Sequence, residues 1–107
     1  MTNEKILALR CALLIAVSEA EKVQNTEDDG TCNFDTPALI LDSKWKYNHV
    51  VAAFNLTGLR PYKAGKHEYH ILGAVTGQGA QRTAMAEAFR DSLKASGYNA
   101  YVHYQMD

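Results

Sequence analysis

Apolar side chains recur at three- and four-residue steps through residues 3–24: Ile6, Leu9, Leu13, Ala16, Ala20 and Val23. That period predicts a long helix. Leu7, Leu14 and Val17 widen the stripe, and the run from Cys11 to Val17 is apolar on nearly every side. A helix that is apolar all round has to be covered all round. One small sheet cannot do that, so residues 1–25 are expected to pack against another subunit as well. The alternative is that the domain's own second and third helices flank them.

Beyond a polar connector, Gln24–Thr31, the spacing shortens. Ala38–Leu41 reads as a short buried strand. Asp42 and Ser43 are candidate N-caps for a helix over 44–57, with Tyr47, Val50, Val51 and Phe54 along one side and Trp45 and His49 as a second pair. Gly58 is a natural stop. Leu59–Lys63 reads as a strand at a sheet edge, because Pro61 has no N–H to give to a ladder. Glu68–Val75 is a third strand, antiparallel to the second. Residues 80–96 form a helix with Met85, Phe89 and Leu93 at four-residue steps and Ala88 beside them, ending at Gly97. Asn99–Gln105 alternates as a last strand. The expectation is an α+β fold in one domain, 1–107. A long N-terminal helix precedes a β-α-β-β-α-β antiparallel sheet, the body spanning 36–107, with two helices packed on one face.

The 107 residues carry a formal net charge of −1, with 47% hydrophobic and 21% charged positions. These are ordinary values for one globular domain. No basic stripe exists, so DNA is not an expected partner. The two cysteines, Cys11 and Cys32, make no C-x-x-C pair and are expected as reduced thiols. Met-Thr-Asn-Glu-Lys has no signal-peptide layout, and the longest apolar run is too short to cross a bilayer. A cytoplasmic protein without membrane contact is expected.

The chemistry concentrates in Thr76-Gly77-Gln78-Gly79-Ala80-Gln81-Arg82-Thr83, where a strand turns into a helix. Glycine reaches positive φ without steric cost and lets a ligand approach the backbone. A helix start offers unpaired N–H groups and the positive end of the macrodipole. Arg82 in that first turn is out of place unless an anion shares the site. The stretch therefore reads as a phosphate grip: backbone amides about Gly79, the Gln78 and Gln81 side chains, the Thr83 hydroxyl, and Arg82 as a fork. The plain alternative is a glycine-rich turn with a solvated arginine. In Asn33-Phe34-Asp35, an exposed phenyl ring between two turn-forming residues is either a clamp for a base or ribose or a local apolar plug. Arg60, Lys63 and Lys66 can meet phosphates, and Tyr62 and the C-terminal tyrosines offer aromatic faces. Arg60 and Lys63 read equally as surface residues of an edge strand. His67 and His70, three apart in a strand, point to opposite faces and cannot chelate one ion; no metal is expected. Ser18 and Ser43 lack any catalytic signature, Asp28 and Asp29 read as solvated loop residues, and no G-x-S-x-G, H-E-x-x-H or Walker lysine occurs.

Two stretches together carry a resemblance. Asp29-Gly30-Thr31-Cys32-Asn33-Phe34-Asp35, followed by Thr76–Thr83, resembles the phage anti-Thoeris sponge family, small proteins that sequester immune signalling nucleotides. The size, the leading helix and the motif order agree across nearly the whole chain. The resemblance implies a non-catalytic protein without a cofactor, active in the host bacterial cytoplasm. It implies binding of cyclic ADP-ribose isomers, unconverted, in pockets between the subunits of a dimer. Some members form hexamers and hold cyclic oligonucleotides at further interfaces. By motif match, Arg82 and Thr83 would take the pyrophosphate beside Gly77 and Gly79, and Asn33, Phe34 and Asp35 the base or ribose. Two rivals stay open. An acetyl-CoA-dependent acyltransferase also grips pyrophosphate between strand and helix, but its Gln/Arg-x-x-Gly-x-Gly/Ala fingerprint has Thr76 at its first position and Gln81 at its last here. The other rival is a structural or regulatory ferredoxin-like dimer without nucleotide affinity.

Overall fold

Four short strands pair in one sheet, the third in chain order lying between the second and the first and the fourth beyond the first, every pair antiparallel. The computed structural model describes residues 1–24, 33–77 and 79–105. In chain order the elements are α1 (Asn3–Glu21), β1 (Thr36–Ile40), α2 (Tyr47–Phe54), β2 (Arg60–Lys63), β3 (Glu68–Leu72), α3 (Gly79–Ala95) and β4 (Asn99–His103). This is the expected split β-α-β arrangement. Helix α2 leads from β1 to β2, and β3 inserts between those two strands. Pro61 lies in β2 at a sheet edge, as its missing N–H requires.

Alternation decides which side of the sheet is covered. Leu39, Tyr69, Ile71 and Val102 share one parity and are buried with Phe89, Leu93, Val50 and Leu13 in a single core. The helices all lie on that side, α3 against β1 and β4, α2 against β2. Helix α1 lies on α3 and, less extensively, on α2. Its buried positions, Leu9, Ala12, Leu13, Ala16 and Ala20, follow the spacing read from the sequence. Leu9 and Leu13 are fully buried; each is worth about 1.5–3 kcal/mol in apolar burial.

The ends of the helices have local causes. Thr2 Oγ1 accepts the Lys5 N–H at 3.3 Å and caps α1. After α3, Gly97 takes φ 94°, so the Gly97 N–H reaches Lys94 O and the Tyr98 N–H reaches Leu93 O, both at 3.0 Å. That pair of bonds is the Schellman ending.

Several expectations need correction. Leu7 and Leu14 do not widen the buried stripe of α1. They are 49% and 44% exposed, Ile15 beside them 53%, and Cys11 is an exposed free thiol. The domain's own helices cover one side of α1 and leave the other bare. Helix α2 starts at Tyr47, not 44, because Asp42 makes a turn of its own: its carboxylate accepts the Lys44 N–H at 2.9 Å. His49 Nδ1 then accepts the Lys46 N–H at 3.2 Å and closes the first turn of the helix. Val50, Ala53 and Phe54 face the core, while Tyr47 and Val51 are exposed. Ala86, not Ala88, fills the core beside Met85 and Phe89. Helix α1 ends at Glu21, β3 at Leu72 before Gly73 at φ 87°, and β4 at His103. Most of the polar connector, and the Asp29–Cys32 half of the first motif, lie outside the described residues.

Candidate functional site

Asn33–Asp35 leads into β1, and Gly79–Thr83 opens α3. Nearly fifty residues apart in sequence, the two stretches meet. The Thr83 hydroxyl donates to Asp35 Oδ2, and Asn33 Nδ2 donates to Thr83 Oγ1 at 3.3 Å. Arg82 Nε donates to the Asp35 carbonyl at 2.9 Å, and its Nη2 stands 3.5 Å from Thr36 Oγ1. The C-terminal stretch closes the knot. Asp35 Oδ1 accepts the Gln105 N–H at 2.9 Å, and the Phe34 N–H reaches Gln105 O at 2.7 Å. Residues flagged separately in the sequence thus form one junction at the end of the sheet where β1 begins, β4 ends and α3 starts.

Asp35 is the buried acid of this junction, 2% exposed. Both carboxylate oxygens are occupied, which offsets the cost of its burial. Partial burial draws the Arg82 guanidinium below its ordinary pKa, and the Asp35 charge pushes it back up. An arginine so placed stays charged. Its Nε is spent on the Asp35 carbonyl and its Nη2 stands toward Thr36; a guanidinium has five N–H donors, so these contacts do not use them all. Thr83 has a second acceptor, Gly79 O at 3.1 Å, as befits a helical threonine. A hydroxyl held by a carboxylate is also the first pair of a nucleophilic relay. Here the carboxylate's other oxygen accepts a backbone amide, so the pair also joins chain segments.

The remaining expected residues divide. Gly77 and Gly79 take φ 80° and 63°, the left-handed geometry for which glycine was expected. Gln81 folds back over this turn: its Nε2 donates to Thr76 O at 3.4 Å, and a Cβ placed on Gly77 would meet that amide at 2.6 Å. Gln78 lies outside the described residues. Phe34 is 39% exposed beside the junction, neither a buried plug nor fully free. Arg60 is exposed on edge strand β2 and is not among the groups bonded at the junction. It borders an open groove of about 560 Å³ between α2 and β2, lined by Val51, Phe54, Leu56 and Pro61 among others. Its register opposite Leu72 still puts it at the same end of the sheet as Thr36.

Sequence reasoning missed Thr36, which meets the guanidinium, and the two histidines that close over β1, His70 and His103, with ring centroids 4.7 Å apart. Strand alternation alone could have placed both imidazoles on one face; which strands were neighbours was the missing fact. No protein-family model matches the chain, and neither does any curated protein or solved structure. What defines it is an α+β body with a split β-α-β sheet, an added N-terminal helix, and a polar junction built from two sequence motifs. Fold alone names no activity, so function has to be argued from those side chains.

Proposed function

We propose that this chain is a non-catalytic binding protein that captures a cyclic ADP-ribose-type nucleotide and holds it intact, blocking a bacterial anti-phage signal. One observation supports the reading most: Asn33–Asp35 and Gly79–Thr83, the ends of the two stretches Asp29–Asp35 and Thr76–Thr83 that carry the likeness to anti-Thoeris sponges, come together at one place. Arg82, in the first turn of α3, brings its guanidinium to that place, against the Asp35 carbonyl and Thr36. A pyrophosphate needs a cation and N–H donors, and this corner has both. A nucleotide wrapped on all sides needs more surface than one small domain offers. The bare side of α1, with Leu7, Leu14 and Ile15, supports a homo-oligomer, a dimer or a hexamer, as the working form. Cyclic di- or trinucleotides would be a second class of ligand of the same assembly in the host cytoplasm.

One observation favours a second reading. A carboxylate, Asp35, sits among the groups meant for an anion, and Arg82 and Thr83 already bond to its residue. On that reading the junction is a structural clasp in a ferredoxin-like dimer without nucleotide affinity. The two separate cleanly. The protein is incubated with cyclic ADP-ribose isomers, freed of unbound ligand and heat-denatured, and the released material is analysed. The sponge returns the same molecule unchanged; the clasp returns none; recovery of linear ADP-ribose marks an enzyme. Native mass spectrometry of the loaded protein gives the subunit count.

A further inference from the structure

The side of the sheet turned away from the helices is not a plain polar surface. In register, Arg60, Leu72, Thr36 and His103 form one row across the four strands, and Tyr62, His70, Ala38 and Tyr101 form the next. The central strand is low here: Thr36 and Ala38 are small. Side chains from β3 and β4 therefore meet over it. His70 and His103 approach to 4.7 Å between ring centroids, and the Tyr101 hydroxyl donates to Glu68 Oε2 at 3.1 Å. Ala38 lies under these bridges, fully buried although α1, α2 and α3 all lie on the other side. On the other flank Tyr62 stands 6.1 Å from His70 and is 57% exposed. The outcome is a continuous ribbon of three rings, Tyr62, His70 and His103, running across the sheet.

This ribbon ends at the junction. His103 is the register partner of Thr36, and Thr36 Oγ1 is the atom beside Arg82 Nη2. A chain of neighbours therefore runs from the guanidinium through Thr36 to the rings. One strand, β1, separates β4 from β3 along it, and two inter-strand spacings make roughly 10 Å, the scale of one nucleotide. The charge agrees. Arg60 and Arg82 lie at the ribbon's end of the sheet, and the acid on the face, Glu68, is at the far end and occupied by Tyr101. Rings with polar edges beside a cation suit a base and ribose with a phosphate attached.

We propose that the helix-free face of the sheet is the base-binding half of the nucleotide site, the purine and ribose lying on Tyr62, His70 and His103 with the phosphates toward Arg82. The inference rests on the nucleotide-sponge reading and adds to it where the base goes. It assigns recognition to residues outside both sequence motifs. Phe34 then borders the phosphate end rather than clamping the base.

The test titrates a cyclic ADP-ribose isomer into the wild-type chain, Arg82→Gln, Tyr62→Ala and His103→Ala by calorimetry, with the histidine ring protons followed by NMR. Tyr62 and His103 are exposed, so both alanine variants are expected to fold; circular dichroism checks this. Each should bind about tenfold more weakly or worse, as for loss of a stacking ring, and the ligand should shift the resonances of both His70 and His103. Unchanged affinity in both alanine variants with silent histidines, while Arg82→Gln loses binding, overturns this inference and leaves the sponge reading standing. If the wild type binds no cyclic ADP-ribose isomer, the sponge reading falls. Adenosine 5′-monophosphate at millimolar concentration then decides the face: shifted histidine resonances support it, unshifted ones overturn it. If either alanine substitution changes the sedimentation coefficient from oligomer to monomer, the face is covered by a second copy and the inference is overturned.

Discussion

Replacing Asp35 asks whether the junction holds the fold together. Asp35→Ala removes two acceptors and leaves the carbonyl that binds Arg82. The Gln105 N–H loses a charged partner at 2.9 Å. A bond of that kind contributes about 1.5–3 kcal/mol. The Thr83 hydroxyl loses less, because Gly79 O stands 3.1 Å away as a second acceptor. Relief of burying a carboxylate offsets part of the loss, and the void left by three heavy atoms adds to it. The net expectation is about 2–3 kcal/mol, a large share of the 5–15 kcal/mol typical of a domain. In a chain of this size that lowers the melting temperature by roughly 10–20 °C. Asp35→Asn should cost about half as much. Its amide oxygen still accepts from Gln105, and its amide nitrogen can donate to Thr83 once the hydroxyl turns to Gly79. Thermal melts and urea titrations followed by circular dichroism read both variants. A melting temperature for Asp35→Ala within about 2 °C of wild type would refute the reasoning, as would an asparagine variant no better than alanine.

Other outcomes follow from the same contacts. Arg82→Gln should weaken binding of a cyclic ADP-ribose isomer by about 1.5–3 kcal/mol, the value of a hydrogen bond to a charged group, with an unchanged circular dichroism spectrum; calorimetry showing equal affinity would remove Arg82 from the site. Burial and the neighbouring His103 hold His70 below its ordinary pKa of 6.5, with Glu68 opposing them, so the unfolded chain takes up this proton first. Its contribution to stability is present above that value and is lost as pH falls through the lowered folded one. Urea midpoints at about pH 7.5 and 5.5 should therefore differ less in His70→Gln than in wild type, and equal differences would contradict this. Leu56 adopts φ 66° and is 80% exposed, a left-handed turn position held by an apolar residue. Leu56→Asn should raise the melting temperature by a few degrees, since asparagine enters that region at lower cost; a lower melting temperature would show that Leu56 has a contact to lose.

Strand and helix order was readable because each element carries a clean period and its own terminator. The four-residue steps of α3, the glycine after it and the proline of β2 each fix a boundary by a local cause. The errors arose where local chemistry competes. Asp42 looked like a cap and is a turn, because a capping carboxylate and an Asx turn offer the backbone the same bond. Leu7 and Leu14 looked buried because apolarity does not tell a helix which side its neighbours occupy. At the junction, the two motifs were legible as short polar stretches with backbone-bonding residues. That Asp35 would face Thr83 was not legible, since nearly fifty residues of chain separate them and only the sheet order brings them together. The ring ribbon was hidden for a related reason. Its members stand on β2, β3 and β4, and no single stretch of sequence contains it.

The two margins of the sheet are not alike. The β2 margin carries Pro61 and the charged Lys63, both of which discourage a further strand. The β4 margin, Asn99–His103, has neither safeguard. Growth by strand addition would thus be one-sided: a second copy joined rim to rim through β4 about a two-fold axis would leave no receptive rim among the described residues. The composition of two edges is enough to make such a pairing self-terminating: it would double the sheet without building a fibre.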